Sequence, residues 1–187
     1  MSSADSLERA LAVLDDLHRE IDRDVRRLAE IHTERLHCRR GCSACCLDDL
    51  SVTRIEAEKI RRGHGDLLGH SAPHPIGACA FLDSEGACRI YEDRPTICRS
   101  QGLPLRVLFE NEAEEIEERR DICPLNEEGG PALDALGEED CWLVGPQELR
   151  VQRLDDQAFC GDDDVASADL DGEDERIALR DLFRRAE

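Results

Sequence analysis

The sequence predicts a small α+β fold, mostly α, with a long N-terminal helix, a cysteine-rich metal-binding centre containing short strands, and C-terminal helices. Three observations predict it. Apolar residues recur at a helical period ahead of residue 37, cysteines crowd the stretch 38–123 among Gly- and Pro-bearing segments, and apolar residues return near the C-terminus.

The first element runs from Ser6 to about Leu36. Leu7, Leu14, Ile21 and Leu28 recur every seven residues, and Ala10, Leu17 and Ile31 fill the position three later. Asp24 interrupts the second series, with Val25 beside it, and charged residues occupy the opposite face. Such a stripe packs on the body of the protein, or on a second copy or a partner protein. Cys38 to Cys46 reads as a loop from its Gly and Cys content. Thr53 and Glu56 have the spacing of a capping box, which predicts a second helix over Thr53 to Arg62. Gly63, Gly65, Gly69, Pro73 and Pro75 then break up residues 63–77.

Beyond this break, Cys79 to Leu82 and Cys88 to Tyr91 flank Asp83, Ser84, Glu85 and Gly86, a turn signal for a short hairpin. Pro95 is placed to open a helical turn leading to Cys98. Leu103 to Phe109 reads as a strand, whereas the acidic run Glu110 to Glu118 fits helix or strand equally. Asn126 to Gly137 reads as loop. Asp155 to Glu175 is Asp-rich without the alternating ligands and central Gly of a calcium loop, so it reads as a solvated acidic surface. A final short helix over Asp174 to Ala186 has Ile177, Leu179, Leu182 and Phe183 to bury. The expected division is an amphipathic helix at 1–37, a cysteine-cluster domain at 38–126 and an acidic C-terminal extension at 127–187.

Composition narrows the function classes. A chain of 187 residues suits one domain, and only 3% are aromatic, so a metal staple would strengthen a core built on aliphatic residues. The balance of 24 basic against 44 acidic residues, net charge −20, repels phosphate backbones, and no basic block offsets it; nucleic acid is not an expected partner. Met1 to Arg9 is polar without an apolar leader, and no run approaches the ~18 apolar residues that span a bilayer. The expected location is therefore cytoplasmic, with no membrane association. Thiols there are kept reduced, so ten cysteines point to metal binding or catalysis before disulfides.

Their spacing is the informative feature. Cys38, Cys42, Cys45 and Cys46 put four thiols in nine residues, and Cys79, Cys88, Cys98 and Cys123 follow at wider intervals. A C-x2-C turn lets two thiolates converge on one ion, and a distant second set closing the site is the logic of structural zinc and of iron–sulfur clusters. Within Cys38–Cys46 and Cys88–Arg99, five arginines (Arg39, Arg40, Arg89, Arg94, Arg99) stand against two acids (Glu92, Asp93), a local reversal of sign suited to offsetting thiolate charge. Adjacent Cys45 and Cys46 would point to opposite sides of extended backbone, so the pair is expected to serve two ions, or one of them to be a small hydrophobe. Cys141 and Cys160 stand outside the cluster and read as ordinary cysteines.

These residues carry a resemblance. The run C-x3-C-x2-C-C, then Cys79-x-Phe81-Leu82, then Cys88-x-Ile90-Tyr91-x-x-Arg94-Pro95-x-x-Cys98-Arg99, then Gly102-Leu103-Pro104-Leu105 and Cys123-Pro124-Leu125-Asn126, resembles the YkgJ-like cysteine-cluster family, described as a zinc- or iron-chelating domain. The likeness spans roughly residues 38–126. It implies binding of Zn2+ or Fe, or of an Fe–S cluster, by Cys38, Cys42, Cys45, Cys46, Cys79, Cys88, Cys98 and Cys123. Flagellin lysine-N-methylases carry a similar cluster, but this chain offers no obvious room for a separate methylase portion.

Three functions compete: a metal-chelating protein, an Fe–S-dependent redox or radical-SAM-like enzyme, and an interaction module held in shape by its metal. Cys38-x3-Cys42-x2-Cys45 has the radical-SAM spacing, yet Ala44 stands where that loop usually carries an aromatic residue. His64, His70 and His74 are available as fourth ligands, although loop histidines are the simpler reading. No phosphate-binding Gly loop, Ser elbow or zinc-protease motif occurs.

Overall fold

The computed structural model describes residues 3–159 and 176–183. Its elements are α1 (Ser3–Ile31), β1 (Ser51–Val52), α2 (Arg54–His70), α3 (Thr96–Arg99), β2 (Leu105–Glu110), β3 (Ile116–Asp121), β4 (Trp142–Leu143), α4 (Pro146–Phe159) and β5 (Ile177–Ala178). The fold is α+β with a long N-terminal helix, small central sheets and a C-terminal helix, as the sequence predicts. Among the described residues no helix is long and apolar enough to cross a membrane. Backbone proximity divides the chain into two compact units. One comprises Met1–Asp16, Arg40–Pro95 and Arg150–Glu187, the other Leu17–Arg39 and Thr96–Leu149.

The heptad stripe of α1 is buried by this chain itself: Leu14, Leu17, Ile21 and Leu28 are at most 2% exposed. Ile31, read as part of the stripe, is 49% exposed instead, because the helix ends there. In the first unit, Asp15 and Glu8 of α1 pair with Lys59 and Arg62 of α2. In the second unit the rest of α1 is tied by polar bonds. Buried His18 and Arg99 meet at 3.1 Å, and Arg99 also pairs with Asp22 at 2.7 Å. His32 Nε2 lies 2.6 Å from the carbonyl of Asp140.

In the first unit α2 starts where the capping box predicts. The Thr53 side chain accepts from the Glu56 N–H, while Glu56 reaches back to the Thr53 N–H. The helix does not stop at Arg62. It continues to His70 with a kink at His64 (φ −131°, ψ 27°), because Leu68 has core to bury beyond the glycines. Asp155 of α4 anchors its start, accepting the Ile55 N–H at 2.7 Å and Arg54 Nε at 2.8 Å. The core here gathers Val52, Ala57, Ile60, Leu68, Phe81, Leu82, Ile90, Leu179, Leu182 and Phe183.

The expected terminal helix is not formed over its described part. Ile177 and Ala178 pair antiparallel with Val52 and Ser51, and Leu179 to Phe183 makes a 3-10 turn that buries the predicted apolar residues. Backbone pairing to a strand far away in sequence overrides the helical spacing. In the second unit, β3-β2-β4 form a sheet: β2 and β3 pair antiparallel, resolving the ambiguous acidic run as a turn and strand, and β4 adds parallel to β2.

Candidate metal centre

The nine described cysteines are thiols, none in a disulfide; Cys160 lies outside the described residues. Cys42, Cys45, Cys46, Cys79 and Cys88 belong to the first unit, and Cys38, Cys98, Cys123 and Cys141 to the second.

In the first unit the backbone draws the thiols together. A turn closes with Cys46 N–H on the Ser43 carbonyl at 2.9 Å, and the Cys79 N–H donates to the Cys46 carbonyl at 2.9 Å. Asp83 caps the predicted turn by accepting the Glu85 and Ala87 N–H groups, both at 2.8 Å, and a single bridge pairs Leu82 with Cys88. Two glycines let this turn meet the Cys42 loop. A Cβ on Gly41 (φ +84°) would lie 3.1 Å from the Glu85 carbonyl, and one on Gly86 (φ +77°) 3.2 Å from that of Gly41. Arg180 clasps the residues after Cys46 to those before Cys79. It donates to the Asp48 carboxylate, to the His74 carbonyl at 2.7 Å and to the Ala78 carbonyl at 2.9 Å.

Cys45 and Cys46 do not point apart. Their segment is a turn rather than extended backbone, and the two thiols are hydrogen-bonded to each other. That bond from Cys46, helped by the charge of Arg94, lowers Cys45 to about 6 despite its burial. The same bond, burial, and the negative charge of Cys45, Cys79 and Cys88 push Cys46 up. Burial also raises Cys79 and Cys88. Negative charge on Cys45, Cys79 and Cys88 thus disfavours a thiolate at Cys46.

In the second unit, Cys98 sits on α3 immediately after Pro95, as the helical-turn reading predicts, and Cys123 opens a 3-10 turn over Pro124–Asn126. Asn126 was not singled out as a site residue by spacing, yet it is fully buried and its Nδ2 stands 3.3 Å from Cys38 Sγ. Cys141 is buried, and burial raises its thiol.

Burial raises Cys88, and the charges of Arg94 and Arg89 offset part of that rise. Arg99 is only 4% exposed, and its guanidinium pairs with Asp22 and His18. The histidines also have other partners: His64 Nε2 lies 2.9 Å from Asp93, and His70 Nδ1 3.0 Å from the Asp66 carbonyl.

Among the described residues no three His, Cys, Asp or Glu side chains are already arranged to hold an ion. The donors fit zinc or iron by their chemistry, being soft sulfurs with arginines beside them. Residues 37–124 match the family model CxxCxxCC, whose description is "putative zinc- or iron-chelating domain", so that stretch carries a domain of this family. Comparison with the curated proteins and with the solved structures gives no match.

Proposed function

From the CxxCxxCC domain at residues 37–124, we propose that the chain holds zinc or iron on the thiolates of Cys38, Cys42, Cys45, Cys46, Cys79, Cys88, Cys98 and Cys123. The observation that carries this is the gathering of Cys42, Cys45, Cys46, Cys79 and Cys88 in one compact unit, where the Cys79 N–H donates to the Cys46 carbonyl at 2.9 Å. An ion bound there would supply the positive charge that lets these thiols ionise together. The residues' part is to bind it, to exclude water through the Phe81 and Ile90 core beside them, and to balance the remaining charge with Arg89 and Arg94.

Surplus thiols favour a centre closed by protein ligands, which is structural, stores the ion, or carries electrons, over one with an open position for substrate. The described strands support the same preference, since they form one two-stranded and one three-stranded sheet rather than the βα barrel usual for SAM chemistry.

Protein purified without oxygen tests the proposal by metal content and absorption spectrum. Cys46→Ser and Cys88→Ser should each lower the bound metal, and Cys141→Ser should not. Full metal content in both cluster variants would sink the assignment. Production of 5′-deoxyadenosine from SAM by the reduced, iron-loaded protein would replace the chelator with the enzyme.

A further inference from the structure

Asn126 has no exposed surface, and its side chain is fully used. Oδ1 accepts the His37 N–H at 2.9 Å, while Nδ2 donates to the Gly102 carbonyl at 2.8 Å and to Cys38 Sγ at 3.3 Å. Its backbone N–H donates to the Cys123 carbonyl at 2.8 Å. One residue therefore joins the segments that carry two of the proposed ligands. Gly102 completes the arrangement. Its φ is +95°, and a Cβ there would fall 2.5 Å from Cys38 Sγ and 3.2 Å from Asn126 Nδ2, so the sulfur occupies space that only glycine leaves open.

Resting on the chelation reading above, we infer that Asn126 is the positioning residue of the Cys38 sulfur: its side-chain N–H orients that sulfur as a thiolate ligand and takes up part of its negative charge. Two of the three side-chain bonds would suffice to hold the loop. The third is aimed at a proposed ligand atom. A neutral thiol is a weak acceptor, whereas a bond to a thiolate is charge-assisted and roughly twice as strong as a neutral one. A buried amide N–H committed to this sulfur thus fixes its direction as a ligand. Outer-shell donors of this kind tune metal affinity by about 10- to 100-fold. The arrangement also assigns work to the residues following Cys123 and to Gly102, which cysteine spacing leaves unexplained.

The test uses the full chain titrated with Co2+ under reducing, oxygen-free conditions. Affinity is read by competition with a chelator, ligation by the sulfur-to-cobalt absorption, and folding by circular dichroism. Asn126→Ala should weaken Co2+ binding by about 10- to 100-fold and shift the sulfur-to-cobalt band, and should add little in a Cys38→Ser background. Asn126→Asp keeps the acceptor for His37 but sets a carboxylate against the sulfur, so its loss should equal or exceed that of Ala. An Asn126→Ala protein that is folded and binds Co2+ as the wild type does would overturn the inference, as would an effect undiminished by Cys38→Ser. Should the variants fail to fold, the cadmium-substituted, isotope-labelled wild type decides: a scalar coupling between the Asn126 side-chain N–H and cadmium is expected, and its absence refutes the bond. A wild type that takes up neither ion with sulfur ligation refutes the chelation reading itself.

Discussion

Replacing Gly102 with alanine separates the role of the Cys38 cradle from the stability of the fold. At φ +95° an alanine carries backbone strain of about 1–3 kcal/mol. Its Cβ would stand 2.5 Å from Cys38 Sγ, about 1 Å inside ordinary contact. What gives way decides the outcome. Cys38 is exposed and its sulfur is the end of a side chain, so the sulfur swings out and leaves the 3.3 Å bond from Asn126. The stability cost then stays near the strain alone, while the thiolate is lost from its place.

Gly129 is the control in the same unit. Its φ is +90°, but there the Cβ would meet the Glu34 carbonyl oxygen at 2.7 Å and Arg35 Cα at 3.1 Å, backbone atoms that cannot rotate aside. Strain and overpacking together cost about 2–6 kcal/mol. For a chain of this length each kcal/mol lowers Tm by about 2–4 °C. Thermal unfolding of the metal-loaded proteins, with metal retention against a chelator at room temperature, reads both effects. Gly129→Ala should melt much lower yet keep its metal while folded; Gly102→Ala should melt slightly lower and lose retention by about tenfold or more. Full retention by Gly102→Ala would refute the cradle.

Asp155→Ala leaves the Ile55 N–H buried without its acceptor and Arg54 without its carboxylate; we expect a loss of about 3 kcal/mol in urea unfolding, and a change below about 1 kcal/mol would mean that water or a neighbour replaces the aspartate. Metal uptake by the first unit should expel protons. Cys46, Cys79 and Cys88 are raised and enter as thiols at neutral pH, whereas Cys45 is lowered and enters ionised. Calorimetry in buffers of differing ionisation enthalpy should therefore find roughly three protons released per ion held by this group, with retention falling as pH is lowered. Proton-neutral uptake would exclude these thiols as ligands.

Signals between neighbours a few residues apart were legible in the sequence. The heptad of Leu14, Ile21 and Leu28 specifies one buried face of α1, and Thr53 with Glu56 marks the start of α2, because both signals are spacings within a turn or two of helix. The close-set cysteines announced soft-metal chemistry for the same reason. The rest follows from contacts between segments remote in sequence. Ile177 and Ala178 became a strand because Ser51 and Val52 offered backbone partners, and α2 ran on to His70 because Leu68 found core beyond the glycines. Arg99 found Asp22 across 77 residues of chain, and Asn126 reached Cys38 across 88. Those choices rest on hydrogen bonds and burial between segments remote in sequence, and no local spacing records which remote segment a buried polar group will meet.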